Sequence, residues 1–145
     1  MAGEHAFAKT VCSRLRGLGF DVQRHEDALS AGIPDLSYAC GGADGWVELK
    51  SIGAWPKQEE TPVRLGVRTE QVNWLERRGR TGSGRVFLFA RVGSDQTFLL
   101  FHWHAVRAVA AGLPAAALRA EADRVWRARM NWPQLSDALR SDRTS

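Results

Sequence analysis

Residues 32–50 read "GIPDLSYACGGADGWVELK", and their pattern decides what kind of sheet the chain builds. Successive side chains of a β-strand point to opposite faces, so residues two apart share one. In "WVELK" this puts Glu48 and Lys50 on one face and Val47 and Leu49 on the other. "DLSYA" repeats the pattern with Leu36 and Tyr38 on one side. Pro34 makes "AGIPD" a turn, and the three glycines of "CGGADG" are able to take the positive φ of a hairpin loop. Residues 34–50 therefore read as a β-hairpin. An irregular hairpin brings Asp35, at the start of one strand, beside Glu48 on the other, so that two carboxylates and an ammonium share a small volume.

Upstream, apolar residues recur at Phe7, Val11, Leu15 and Leu18, the spacing of an amphipathic helix over 3–18, and Gly17 and Gly19 supply its stop. "FDVQRHED" alternates from Phe20 to Arg24 and reads as a first strand. Downstream, residues 51–67 hold two prolines and two glycines without a steady period and are expected as a long loop. "TEQVNWLERRG" is a helix with Thr69 as N-cap and Gly79 as stop. "VFLFARV" and "TFLLFHW" are apolar strands of the kind buried inside a sheet, joined by the hairpin "GSDQ". The rest, from His104 to Ser141, is alanine-rich and expected to be helical, broken at "GLP" and "NWP". The order of elements predicts an α/β (α+β) domain on a mixed central sheet flanked by helices, with a core over 1–111 and a C-terminal helical extension over 112–145.

The 145 residues, 44% of them hydrophobic, suit one domain with a core of ordinary size. No apolar run is long enough to span a membrane, and the first residues lack the pattern of a signal peptide, which gives cytoplasmic localisation as the expectation. Cys12 and Cys40 have no partners at zinc-ligand spacing and are read as reduced thiols. The net charge of +4 is carried almost wholly by arginine, since only Lys9, Lys50 and Lys57 are lysines. That balance is compatible with a polyanionic partner and equally with the base composition of the gene.

Two carboxylates held together raise each other's pKa unless a cation joins them, so Asp35 with Glu48 describes a divalent metal site. Magnesium, or manganese, suits oxygen ligands, and the backbone carbonyl of Leu49 extends the set. Such a metal lowers the pKa of bound water and withdraws charge from a phosphodiester, while Lys50 orients the water or offsets developing charge. The same residues also describe the polar face of an ordinary solvated sheet edge.

"GIPD" followed by "WVELK" resembles the PD-(D/E)xK nuclease superfamily. The run "RHEDALSAGIPDLSYACGGADGWVELK" is most similar to its VRR-NUC and phage-type branch, with archaeal Holliday-junction resolvases as cousins. The likeness extends from about Glu4 to Val92. It implies a restriction-endonuclease-like fold and a Mg2+- or Mn2+-dependent DNA endonuclease, acting on branched or junction DNA as a homodimer. Asp35 and Glu48 match the metal-binding acidic pair, Lys50 the catalytic lysine, and Gln71 the polar residue on the following helix. Glu4 resembles the first-helix glutamate that helps hold metal in resolvase-like members. A non-cleaving nucleic-acid-binding or assembly module on the same fold is the alternative.

Other residues carry two readings each. Glu26 is an extra metal ligand or a solvated acid closing a strand. His102 and His104 share a strand face and reach a metal only with a third ligand; His5 and His25 point nowhere in particular. Arg64, Arg68, Arg77 and Arg78, with Arg80 and Arg85, form a basic wall for DNA or favourable charges near a helix C-terminus. Trp55 stacks on an unpaired base or anchors its loop. Trp46 and Trp74 are expected as packing. The arginines of "RAEADRVWRAR" form a solvated helical face or a phosphate-tracking arm.

Overall fold

The chain opens with α1 (Gly3–Gly17), which buries Phe7, Ala8, Val11, Cys12 and Leu15, as the periodicity requires. Leu18 departs from that stripe and is 39% exposed. The cause is the helix end: Phe20 N–H donates to Leu15 O and Gly19 N–H to Arg16 O, with Gly19 at φ 91°, a Schellman turn that rolls Leu18 outward. This computed structural model describes residues 3–26 and 31–141. Asp27, the last residue of the expected first strand, lies outside them.

Strand β1 (Asp21–Arg24) pairs antiparallel with β2 (Leu36–Cys40), and β2 with β3 (Ala43–Ile52). The hairpin loop is tighter than expected. Gly41 and Gly42 alone form it, both at positive φ as a two-residue type I′ turn demands, and Cys40 already pairs with Ala43. Strand β3 thus starts three residues before Trp46 and continues two past Lys50. The segment 51–67 is correspondingly less irregular than expected. Its end holds β4 (Pro62–Val63), and Val63 and Leu65 are buried.

Helix α2 (Thr69–Thr81) carries the chain across to β5 (Val86–Val92), which runs parallel to β3 from Trp46↔Val86 to Ile52↔Val92. Arg68, not Thr69, is the N-cap. Gly79 does not stop the helix; it is buried where a Cβ would strike the Trp103 ring at 2.3 Å. Strand β6 (Thr97–His102) returns antiparallel to β5. A 3-10 turn over Trp103–Ala105 leads into α3 (Val106–Ala111), β7 (Leu113–Pro114) and α4 (Ala115–Glu121). Strand β7 pairs with β4 in a small second sheet.

The C-terminal third is not uniformly helical. Residues Arg124–Trp126 form β8, which pairs antiparallel with β6 and gives the main sheet the order β1-β2-β3-β5-β6-β8. The arginines of "RAEADRVWRAR" therefore do not lie on one helix. The last element, α5 (Trp132–Arg140), starts at Asn131, whose side chain accepts from Gln134 N–H, and it buries Leu135 and Leu139. Helices α1 and α5 cover the sheet face that carries Leu36, Val47, Leu49 and Phe89. Helices α2, α3 and α4 cover the face that carries Leu88, Ala90, Leu99 and Phe101.

Candidate active site

Alternation along β3 places Val47 and Leu49 in the core under α1, so Glu48 and Lys50 point to the α2 side. Both are deeply buried, at 2% and 7% exposure, which rules out the reading of a solvated edge. Asp35 stands just before the first paired residue of β2, where the antiparallel ladder ends at Leu36↔Val47. Its Oδ2 accepts the N–H of Leu49 at 2.8 Å, continuing the ladder with a side chain in place of a backbone carbonyl. Gly32 makes this approach possible. At φ 84° it leaves no room for a side chain: a Cβ there would meet Glu70 O at 2.3 Å, so the "GIPD" turn lies directly on α2.

Gln71 comes from the first turn of α2. Its Oε1 accepts Arg68 N–H at 2.9 Å, one half of a capping box, and this fixes which end of the amide faces the sheet. The amide nitrogen then donates to Glu48 Oε2 at 2.9 Å. Lys50 Nζ reaches the same oxygen at 3.3 Å. Burial, and secondarily the Asp35 charge, push the Glu48 carboxyl up to about 8, against the lowering influence of Lys50. By the chemistry of its donors, two neighbouring carboxylates beside a buried ammonium that engages one oxygen, the set is one that a divalent cation would suit.

Asp35, Glu48, Lys50 and Gln71 thus converge, and other expected residues do not join them. Glu4 is exposed on the first turn of α1; among the described residues no three His, Cys, Asp or Glu side chains gather at metal-binding distance. Glu26 is exposed and pairs with Arg24 at 3.2 Å. His102 and His104 do not share a strand face, because β6 ends at His102 and His104 belongs to the 3-10 turn. Their Nδ1 atoms lie 2.7 Å apart, and His102 Nε2 bonds to Gly84 O at 3.0 Å, a packing role. His25 bonds to Ser37 Oγ at 2.8 Å and lies against Trp46; His5 is exposed.

The arginines separate into different places. Arg68 is exposed beside Gln71 and pairs with Glu70 at 2.9 Å. Arg64 donates to Ala111 O at 3.1 Å. Arg77 and Arg78 sit at the far end of α2, roughly 10 Å of helix rise from Gln71, and Arg78 lies over the Trp46 and Trp74 rings. Trp55 serves as an anchor in this structure: its indole N–H donates to Asp95 at 2.9 Å and Arg119 covers its ring. Cys12 and Cys40 are free thiols. No helix among the described residues is long and apolar enough to cross a membrane. Arg91 belongs to no motif and is marked in the sequence only as the one charge in the apolar run "VFLFARV".

No family model matches the sequence, and no curated protein matches it. Among solved structures, the chain is similar to Hjc, a Holliday junction resolvase from the archaeal hyperthermophile Archaeoglobus fulgidus. The TM-score is 0.50 at 14% identity, with 83% of this chain and 98% of that chain covered. At such an identity the likeness concerns the fold and does not reach the VRR-NUC branch. Taken with the mixed six-stranded sheet between two helical layers, it gives this chain the restriction-endonuclease-like fold.

Proposed function

We propose that this chain is a divalent-metal-dependent DNA endonuclease of the PD-(D/E)xK superfamily, with Mg2+ or Mn2+ as cofactor and branched or junction DNA as preferred substrate. The observation that carries the reading is the convergence of half-buried Asp35 with buried Glu48, Lys50 and Gln71. Asp35, Glu48 and the Leu49 carbonyl would hold the metal. Leu49 N–H already faces Asp35, and in a strand the carbonyl of a residue faces the same neighbour as its N–H. When bound, the metal supplies an acidified water and charge withdrawal from the phosphodiester.

The chain's own residues do the rest. Gln71 holds the Glu48 carboxylate in one orientation by donating to Oε2. Lys50, on the same oxygen, brings the positive charge that a developing phosphorane needs and hydrogen-bonds the attacking water. Burial of the pair strengthens each of these interactions relative to water. Arg68, exposed next to Gln71, supplies a first phosphate contact outside the site, and Arg64, Arg77 and Arg78, in different places on the surface, are further candidates. Two copies acting together would suit a branched substrate.

The test is cleavage of supercoiled plasmid and of synthetic four-way junctions with and without Mg2+ or Mn2+. Metal-dependent nicking that is lost in Asp35→Ala, with unchanged circular dichroism, is the expected result. Binding with no metal-dependent cleavage of any substrate would replace the enzyme by a non-cleaving module, and light scattering of the complex reports the homodimer.

A further inference from the structure

Two grooves flank the central strands, one on each face of the sheet, and their charges differ. On the α2 side a groove of about 400 Å³ is lined by Arg78 but also by Asp21 and Asp44. On the α1 side a groove of about 520 Å³ lies between the first turns of α1 and the ends of β3 and β5. Arg91 is the only charged residue lining it among the described residues. Thr10, Ser51 and Gln96 add polar groups, and Phe7, Phe98 and Trp132 form an apolar wall.

Arg91 is half-buried, and among the described residues its side chain makes a single, long hydrogen bond, to Ser51 Oγ at 3.5 Å. Arg24, Arg68, Arg107 and Arg140 each pair with a carboxylate; Arg91 forms no ion pair among the described residues. A guanidinium partly withdrawn from water without an anion is costly to keep, and its planar fork matches phosphate. Its place in the sheet is specific. Ser51 directly follows Lys50 and stands opposite Arg91 in the β3–β5 register. One strand residue advances about 3.3 Å, close to the roughly 3.4 Å that one nucleotide advances along a DNA strand. Lys50 projects to the opposite face from Ser51 and Arg91, so a strand held at Lys50 meets this groove by passing around the end of β3.

We propose that the α1-side groove is a second contact for the substrate strand: Arg91 takes a backbone phosphate flanking the scissile one, and the Phe7, Phe98 and Trp132 wall receives the apolar side of the neighbouring unpaired nucleotide. This rests on the nuclease reading above.

Fluorescence anisotropy of the full chain with a labelled 12-nucleotide single strand, in Ca2+ and over a salt series, tests it alongside Mg2+-dependent plasmid nicking. Arg91→Gln is expected to weaken binding about tenfold and to flatten the log–log salt dependence by about 0.7, one single-strand phosphate. Arg91→Lys should keep the slope and lose only part of the affinity. Thr10→Glu, on the exposed side of α1, introduces an acid into the groove without altering the strand and should weaken binding similarly. It decides the matter if Arg91→Gln does not fold. Wild-type affinity and slope in a folded Arg91→Gln, or in Thr10→Glu, overturn the groove while Asp35-dependent nicking leaves the nuclease reading standing. A wild-type chain that neither binds nor nicks DNA overturns both.

Discussion

The two sides of β3 are equally buried and chemically opposite. Val47 and Leu49 are each 1% exposed under α1, while Glu48 and Lys50, at 2% and 7%, lie under α2. The first pair joins an apolar core with Phe7, Leu36 and Phe89 and contributes stability by leaving water, about 1.5–3 kcal/mol per fully buried side chain. The second pair loses hydration of both charges and regains it incompletely through Gln71 and each other, which is why the Glu48 carboxyl is held so high. Burial alone therefore says nothing of purpose: on one face it is the source of stability, and on the other a cost, which the proposed nuclease chemistry would explain.

That contrast is sharpened most strongly by Lys50→Ala. Cleavage should fall about a thousandfold, and the melting temperature should fall as well, because Glu48 loses its buried partner; a plasmid-nicking rate near wild type in the folded variant would break the assignment of the polar face. On the apolar face, Leu49→Ala should cost about 3 kcal/mol of stability, measured by urea unfolding, with activity lost only in proportion to the unfolded fraction.

Glu48→Gln separates stability from activity. The folded-state pKa of about 8 lies above the ordinary 4.5, so between those values the folded chain holds a proton that the unfolded chain has released. This group's contribution to stability therefore falls as pH rises from about 4.5 to 8, and is flat outside that window. The Gln variant should lose that slope, gain about 1–3 kcal/mol at pH 8, and cut no DNA; saturating Mg2+ should flatten the wild-type slope in the same way. Unfolding curves across pH 5–8 decide it. The smallest effect is expected away from β3 altogether. Trp55→Phe removes the hydrogen bond to exposed Asp95 and should cost about 1 kcal/mol or less, with cleavage retained; a large loss of DNA affinity would return Trp55 to the binding surface.

Much of the site was legible because it depends on local rules. Period-two alternation places Glu48 beside Lys50 wherever β3 forms, and glycines at 41 and 42 dictate a hairpin. The bond between Asp35 and Leu49 N–H was not legible, since it requires the β2 ladder to stop one residue short of Asp35. The edge strand β8 was missed for a related reason. "RVW" is too short to show a period, and its state is set by pairing with Phe98, Leu99 and Leu100 of β6. The turn after α1 misled in the other direction, because Leu18 fits the helical stripe and is rotated out by backbone hydrogen bonds after Gly17.

By itself, then, the order of residues determined the hairpin, the opposed faces of β3 and the amphipathic helices, all of which follow from steric preferences within a few positions. Only the tertiary structure decided that α2 would deliver Gln71 to Glu48 across 23 positions, that Glu4 would stay outside, and that Arg91 would stand opposite Ser51 at the end of the same strand. Those pairings rest on the parallel match of β3 with β5 and on the seating of helices over each face. They are contacts between distant segments, whose energies depend on which surfaces meet and are written in no single stretch of the chain.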